Sequence, residues 1–334
     1  METEQMQKNS KEILLTVQNL SVEFISEKGN VQAVNEANFS LHKSETLAIL
    51  GESGSGKSTI ALALMGLLPK PNSHINKGSI KFKGKDLVRM KDFERRKLRG
   101  AQMSMIFQDP LSALNPVYTI GFQIGEILRA HKRMSRKQVK TKVIDLMKKV
   151  KIPDAEKRIN DYPHQFSGGM QQRIIIAIAL ALEPQFIIAD EPTTALDVTV
   201  QNQIMLLLKD LQYKEKMGLI FISHDIGVVA NYADRVAVMY AGHIVETGPV
   251  EEVLKNPAHP YTQGLINSLP TIGLEPTRLV PIEGSPPNML NPQSGCPFRS
   301  RCPIAREVCK EKIPELKNVR NERKSACHFF EEVL

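Results

Sequence analysis

Gly51-Glu52-Ser53-Gly54-Ser55-Gly56-Lys57-Ser58-Thr59 follows the apolar run Leu47-Ala48-Ile49-Leu50 and precedes a helical pattern through Ile60 to Leu68, before Pro69. The spacing is G-x-x-x-x-G-K-[ST] between a strand and a helix, the context in which this pattern carries meaning. Glycines let the backbone curl until successive N–H groups and a helix N-terminus face phosphate oxygens. Lys57 is then expected at the β- and γ-phosphates, and Ser58 on Mg²⁺. Gly51, Ser53, Gly54, Ser55, Gly56 and Thr59 complete the candidate cradle.

Outward from this loop, residues 12–24 and 31–50 have the pattern of strands and turns, and 103–107 is a short strand candidate. Helices are expected from about 119 to 182. Short apolar segments at 186–189, 219–222 and 235–239 then alternate with helices. Continuous apolar strands between helices predict a parallel sheet covered on both faces, an α/β class. Phe186-Ile187-Ile188-Ala189 runs into Asp190 and Glu191. A carboxylate at a strand's C-terminal edge suits Mg²⁺, and the next acid suits orienting or deprotonating a water. Alone, such a pair is as well explained by a turn; beside a phosphate loop it gains weight.

Phe166-Ser167-Gly168-Gly169-Met170-Gln171-Gln172-Arg173 resembles the signature motif of ABC-type ATPases. The surrounding order also resembles that family: phosphate loop, Gln108, signature, the Asp-Glu strand, Ala195-Leu196-Asp197 (similar to the D-loop) and Ser223-His224-Asp225. The resemblance covers about residues 12–255 and implies a P-loop ABC ATPase fold, a mixed sheet with a helical subdomain at about 109–182. It implies an ATP hydrolase with ATP and Mg²⁺ bound: Glu191 as base, His224 and Lys57 on transition-state charge, Gln108 sensing Mg²⁺ and γ-phosphate. Ser58, Gln108 and Asp190 would serve the Mg²⁺. Ser167, Gly168, Gly169 and Asp197 would meet nucleotide held by a facing subunit, two ATP molecules being sandwiched head to tail. Phe24 stands where the family places an adenine-stacking aromatic; as an isolated aromatic it fits a core equally. Met170 replaces the usual glutamine at the fifth signature position, so slower turnover is expected at the site it completes.

From about Asn256 the texture changes: prolines crowd in (257, 260, 270, 276, 281, 286, 287, 292, 297, 303) and the core-strand pattern stops. This sets a boundary near 255, giving a nucleotide-binding domain over 1–255 and a Pro/Cys-rich C-terminal extension over 256–334. Asn256-Pro257-Ala258-His259-Pro260-Tyr261-Thr262, with Leu265 and Pro270, resembles the C-terminal element of oligopeptide/dipeptide permease ATP-binding subunits. Tyr162-Pro163-His164-Gln165, leading into the signature, is similar to their D-type subunit. That resemblance implies import of dipeptides or oligopeptides across the cytoplasmic membrane, from its cytoplasmic face. It implies as partners an F-type second ATPase in a heterodimer, two transmembrane permeases and, through them, a solute-binding protein. Nickel importers use closely similar ATPases and remain the alternative.

Cys296, Cys302, Cys309 and Cys327 form C-x5-C-x6-C-x17-C, with Pro297 and Pro303 directly after two of them. A reducing compartment disfavours disulfides. Structural zinc usually shows C-x2–4-C, which is missing. Four thiolates suit an iron–sulfur cluster, and unligated thiols are a further reading; the family comparison favours a [4Fe–4S] cluster.

The chain has 334 residues, 44 Lys and Arg against 36 Asp and Glu, 42% hydrophobic residues and no tryptophan. This is ordinary globular composition. The start, METEQMQKNSKEI, lacks the apolar segment of a secretory signal, and the longest apolar run, Ile174 to Leu182, is half a membrane span. Arg129 to Lys151 holds ten Lys or Arg and one acid, a local +9 that exceeds the chain's net +8. Val139, Val143, Met147 and Val150 predict one amphipathic helix there with a basic face. No aromatics interleave those charges, so a nucleic-acid reading lacks stacking platforms; a solvated or partner-facing surface fits better. DNA-acting ABC ATPases insert coiled coils between loop and signature, and ribosome-acting ones carry two ATPase domains. Sugar importers carry a strand-rich regulatory domain. None of these matches 110 residues between Lys57 and Ser167 and a Cys/Pro-rich tail.

Overall fold

The fold is a computed structural model that describes residues 12–108, 113–193, 196–268, 281–290, 292–320 and 322–334. Ala195, Pro270, Pro276, residues 109–112 of the expected helical subdomain and the first eleven residues lie outside these.

In chain order come β1 (Ile13–Ser26), β2 (Gly29–His42), β3 (Thr46–Leu50), α1 (Lys57–Met65), β4 (Ser73–Phe82), β5 (Lys85–Asp86), α2 (Asp92–Leu98) and β6 (Met103–Ile106). Next are α3 (Ile120–His131), α4 (Arg136–Lys149), α5 (Ala155–Arg158), α6 (Gly168–Leu180), β7 (Phe186–Asp190), α7 (Val198–Glu215) and β8 (Gly218–Ser223). The remainder comprises α8 (Ile226–Tyr232), β9 (Arg235–Tyr240), β10 (His243–Pro249), α9 (Val250–Lys255), α10 (Pro260–Asn267), α11 (Glu307–Glu311), β11 (Lys317–Arg320), β12 (Arg323–Ser325) and α12 (Phe330–Val333).

Two compact units divide these elements. The first holds residues 12–14, 42–46 and 90–222. Its strands β6, β7 and β8 pair in parallel, with Ala189 opposite both Ile106 and Phe221, and Asp190 opposite Ile222. Every residue of β7 and β8 is buried, which requires cover on both faces. α6 supplies much of that apolar mass: Ile174, Ile176 and Ala177 are fully buried, and a helix apolar all round belongs in a core.

The expected single basic helix is two. α3 ends at His131, and Ser135 restarts the chain as N-cap of α4: its hydroxyl accepts from Gln138 N–H while the Gln138 amide oxygen accepts from Ser135 N–H. This reciprocal pairing is a capping box. The expected stripe holds at Val139, Val143 and Met147, joined by Leu146, while Val150 lies just past the helix. Its basic face is partly neutralised by Lys142–Glu183, Lys148–Glu156 and Lys149–Glu215 ion pairs.

The second unit holds residues 15–41, 47–89 and 223–334. Residues on either side of position 255 therefore share one unit. β2, β1, β4 and β5 form an antiparallel sheet, in that order. β3 pairs in parallel with β9, which pairs antiparallel with β10, and β12 and β11 continue outward. The apolar strands pair in parallel, and the antiparallel strands beside them give the mixed pairing that the family resemblance implies. Ala241 at φ 45° and Gly242 at φ 81° make the two-residue turn that reverses β9 into β10. The extension also contributes strands, Glu246 of β10 facing Ser325 of β12. α1 ends earlier than expected, at Gly66 in the left-handed region.

Candidate functional site

The phosphate loop lies in the second unit, between β3 and α1. Gly54 at φ 77° and Gly56 at φ 104° give the left-handed turns that aim its backbone. A Cβ on Gly56 would stand 2.2 Å from Ala33 O, and one on Gly51 2.2 Å from Met239 O, so neither position accepts a side chain. Lys57 is buried, its ammonium donating to Gly51 O and Glu52 O, both at 2.8 Å. Ser55 Oγ is buried with no hydrogen-bond partner among the described residues. A buried hydroxyl in this state costs about 1–3 kcal/mol, and a phosphate oxygen would satisfy it. Ser53, Gly54 and Ser58 are exposed, Gly56 and Thr59 half-buried. Phe24 is half-buried on β1, opposite Ser73 of β4. His224, also in this unit, is exposed just after β8. Asp225 beside it caps α8 by accepting from Val228 N–H at 3.2 Å.

The first unit holds the carboxylates. Asp190 is the buried last residue of β7. Glu191 takes φ 46°, a left-handed conformation unusual for a non-glycine residue, with its N–H donating to Ile222 O at 3.1 Å. Such strain concentrates at functional sites. Gln108 Nε2 donates to Glu191 Oε2 at 3.1 Å, so two residues 83 positions apart in sequence meet.

Ser167 is the N-cap of α6, its hydroxyl accepting from Met170 N–H at 3.4 Å. Ser167 and Gly168 are exposed, which leaves the helix's first N–H groups and its positive end open to an anion. A Cβ on Gly169 would lie 2.7 Å from Val200 Cγ1 of α7, so this glycine permits close packing. Asp197 accepts from Val200 N–H at 2.9 Å as the N-cap of α7, a structural duty the sequence reading did not assign.

All four cysteines are free thiols lining one small cavity with His259, Phe298, Pro314 and Phe329. Gly295, at φ 71°, closes the chain on itself: a Cβ there would lie 2.3 Å from Cys309 O. Burial, reinforced by the neighbouring thiols, pushes Cys296 and Cys327 up to about 11. Among the described residues, however, no three His, Cys, Asp or Glu side chains form a group that could hold a metal ion. The cysteines are gathered round a cavity but not drawn into a ligand set, and the metal assignment from sequence is corrected to that extent.

Sequence reasoning missed three contributors. Arg301 binds Glu52 of the phosphate loop, and Tyr261 Oη accepts from Glu52 N–H at 3.0 Å. Arg158 reaches the signature at Met170 and Phe166. Tyr261 lay within a recognised tail segment, but nothing local to Arg301 or Arg158 announces its partner.

Residues 34–194 match the ABC transporter family, and residues 245–309 match the oligopeptide/dipeptide transporter C-terminal region. The chain is 52% identical over 303 residues to the dipeptide transport ATP-binding protein DppD of Bacillus subtilis, covering 91% of this chain and 90% of that one. Against the oligopeptide transport ATP-binding protein OppD of Escherichia coli, identity is 48% over 314 residues, covering 94% and 92%. Among solved structures, a dimeric post-hydrolysis ATP-binding cassette bound to ADP and Pi is 27% identical with a TM-score of 0.63, covering 71% of this chain and 98% of that one. With the phosphate loop, the Asp190-Glu191 strand end and the Ser167-capped helix in place, the chain belongs to the ABC transporter ATP-binding proteins, as an ATPase of the oligopeptide/dipeptide permease family.

Proposed function

We propose that this chain powers import of dipeptides or oligopeptides, hydrolysing ATP for two transmembrane permease subunits fed by a solute-binding protein. The observation that carries this reading is the tail match at 245–309 together with peptide-transport relatives across more than nine-tenths of the chain. Those relatives do not favour the nickel alternative. No helix among the described residues is long and apolar enough to cross a membrane, which agrees with a peripheral place at the cytoplasmic face through the permeases. The exposed Ser167 and Gly168 at the start of α6 support pairing with a second ATPase, an F-type subunit, whose nucleotide they would meet.

The residue roles proposed are those that the family resemblance implies, and the local geometry within each unit supports them. Gly51 to Thr59 wrap the triphosphate, with Lys57 exchanging two backbone carbonyls for phosphate oxygens. Mg²⁺, when bound, neutralises charge between the β- and γ-phosphates; Ser58, Asp190 and Gln108 are its candidate holders. Glu191 orients the attacking water and takes its proton, His224 faces the γ-phosphate, and Phe24 stacks on adenine. Ser167, Gly168 and Gly169 serve the partner's nucleotide, with Asp197 holding the adjoining helix. Residues 1–255 form the nucleotide-binding domain and 256–334 the extension.

The family resemblance, rather than a ligand set formed in the fold, is what supports a [4Fe–4S] cluster on Cys296, Cys302, Cys309 and Cys327, which line one cavity. Burial pushes the Cys296, Cys302 and Cys327 thiols up, and a cationic centre such as iron would favour their thiolates. The cluster would lock the extension rather than carry electrons.

Deleting the gene in an amino-acid auxotroph tests the transport reading. Uptake of labelled dipeptide should be lost while the free amino acid is still taken up. Intact peptide uptake with lost nickel uptake would overturn it. Anaerobically purified protein should be brown with about four irons per chain; a colourless, zinc-bearing protein refutes the cluster.

A further inference from the structure

Glu52 is the one acid inside a loop built for anions. An unpaired carboxylate there would repel a polyphosphate at close range, where a partly desolvated site screens poorly. The structure answers with Arg301 of the extension. Its Nη1 donates to Glu52 Oε2 at 3.0 Å and its Nη2 to Glu52 Oε1 at 3.2 Å, a two-pronged pair 249 positions apart. The Arg301 side chain is only 5% exposed and Glu52 28%. Such fork-to-fork pairs fix geometry as well as charge.

Arg301 is itself held firmly. Nε donates to Glu283 O at 3.0 Å, Nη2 to Ile282 O at 3.1 Å and Nη1 to Tyr240 Oη at 3.4 Å. Its guanidinium carbon stands 5.7 Å from the Tyr240 ring centre. Tyr240 packs against Tyr261 at 4.6 Å and edge-on to Phe298 at 5.2 Å. Tyr261 in turn takes the Glu52 N–H. Side chain and backbone of Glu52 are thus both tied to the tail.

We propose that Arg301 is a positioning residue for nucleotide binding: it neutralises Glu52 and draws its carboxylate aside, so that the loop presents only donors to the phosphates. Arg301 directly precedes Cys302, so the segment that bounds the thiol cavity also sets the charge of the phosphate loop. This gives the extension a role in the ATPase reaction itself.

The inference rests on the loop binding ATP, and the experiment separates the two. ADP and ATP affinities are measured by equilibrium titration, with Mg²⁺, on the purified full chain. Lys57→Ala should abolish binding; retained binding there unseats the phosphate-loop reading, whatever Arg301 does. Arg301→Ala should weaken binding about tenfold, as a close unscreened charge predicts. Adding Glu52→Gln to Arg301→Ala should restore affinity to within threefold of the native chain, although Arg301's contacts to Glu283, Ile282 and Tyr240 stay lost. A purely structural arginine would leave the double variant as weak as the single one, with the melting temperature lowered alike in both; that result overturns the proposal. Should Arg301→Ala fail to fold, Arg301→Lys keeps the charge and should bind within threefold, a tenfold loss again overturning it.

Discussion

Gln108 and Glu191 are joined by a 3.1 Å hydrogen bond from the glutamine amide to the glutamate carboxylate. Glu191 is also fixed by its left-handed backbone and by its N–H bond to Ile222 O. The proposed base thus has a fixed backbone and a side chain held by Gln108, which would release it when a cation and a phosphate compete for the amide. Glu191→Gln keeps the shape and removes the proton acceptor. Turnover should fall at least a hundredfold, in line with the loss of general base catalysis, with ATP affinity within threefold. Single-turnover hydrolysis and nucleotide binding check this; retained hydrolysis removes Glu191 as the base.

Met170 is the departure from the family's signature, and Arg158 explains how it is accommodated. Arg158 Nη1 approaches the Met170 sulfur at 3.4 Å, and its guanidinium lies 4.0 Å over the Phe166 ring. It also donates to Gln165 O at 2.8 Å and pairs with Asp161 at 3.0 Å. The methionine thus fills the place of an acceptor, and Met170→Gln should change ATPase turnover less than threefold. Arg158→Ala removes an anchor of roughly 1–2 kcal/mol in cation–π attraction alone. It should lower turnover of the assembled transporter about tenfold while leaving ATP binding by the single chain unchanged. Weakened binding in the single chain would contradict a role confined to the signature.

Glu246 and Arg323 form a buried pair between β10 and the extension, with Nε to Oε1 at 3.0 Å and Nη2 to Oε1 at 2.9 Å. Ala258 N–H adds a third bond to the same oxygen at 2.9 Å. Burial raises the carboxyl above its ordinary value, against the pull of Ala258 and Arg323. Arg323→Leu leaves that acid without its cation and should cost about 3–5 kcal/mol. Glu246→Leu with Arg323→Leu should recover most of the loss. Urea unfolding of the three proteins decides it; an equally unstable double variant would show that shape, not charge, holds this junction.

What could be read from sequence follows how local each feature is. The phosphate loop, the Asp190-Glu191 strand end and the Ser167 helix start are each written within a dozen consecutive residues, because backbone curvature and helix caps are short-range. The α3–α4 break was equally local: Ser135 and Gln138 spell a capping box that the run of lysines obscured. The Ala241-Gly242 turn reversing β9 was a weaker signal, since alanine rarely adopts φ 45°. The Glu52–Arg301 clamp and the Arg158 contacts at Met170 depend on packing between distant segments, which no pattern in one sequence expresses. The cysteines fall between: their spacing announced a shared site, and the fold places them round one cavity without making them a ligand set.

One buried and one half-buried histidine contribute to the acid side of stability. Burial lowers His259 to about 3, opposed by a hydrogen bond with the Ala326 backbone, and its Nδ1 accepts from Tyr261 N–H at 3.1 Å. Burial lowers His243 to about 4, with Glu36 opposing, and its Nε2 lies 3.4 Å from Asn35 Nδ2. In the unfolded chain both titrate near 6.5. Between pH 6.5 and 4 the unfolded state therefore binds protons that the folded state refuses, so unfolding free energy falls as pH falls. Each histidine contributes a slope of about 1.4 kcal/mol per pH unit in that window and nothing above pH 7. Carboxylates add their own slope at the same pH, so the difference between proteins is the informative quantity. His243→Asn keeps a side chain able to bond Asn35 without a titrating ring. Its unfolding free energy, measured in urea at pH 7 and pH 5, should drop less than that of the native chain by about 2 kcal/mol. An identical drop in the two proteins would mean that His243 is hydrated and protonated freely in the folded state.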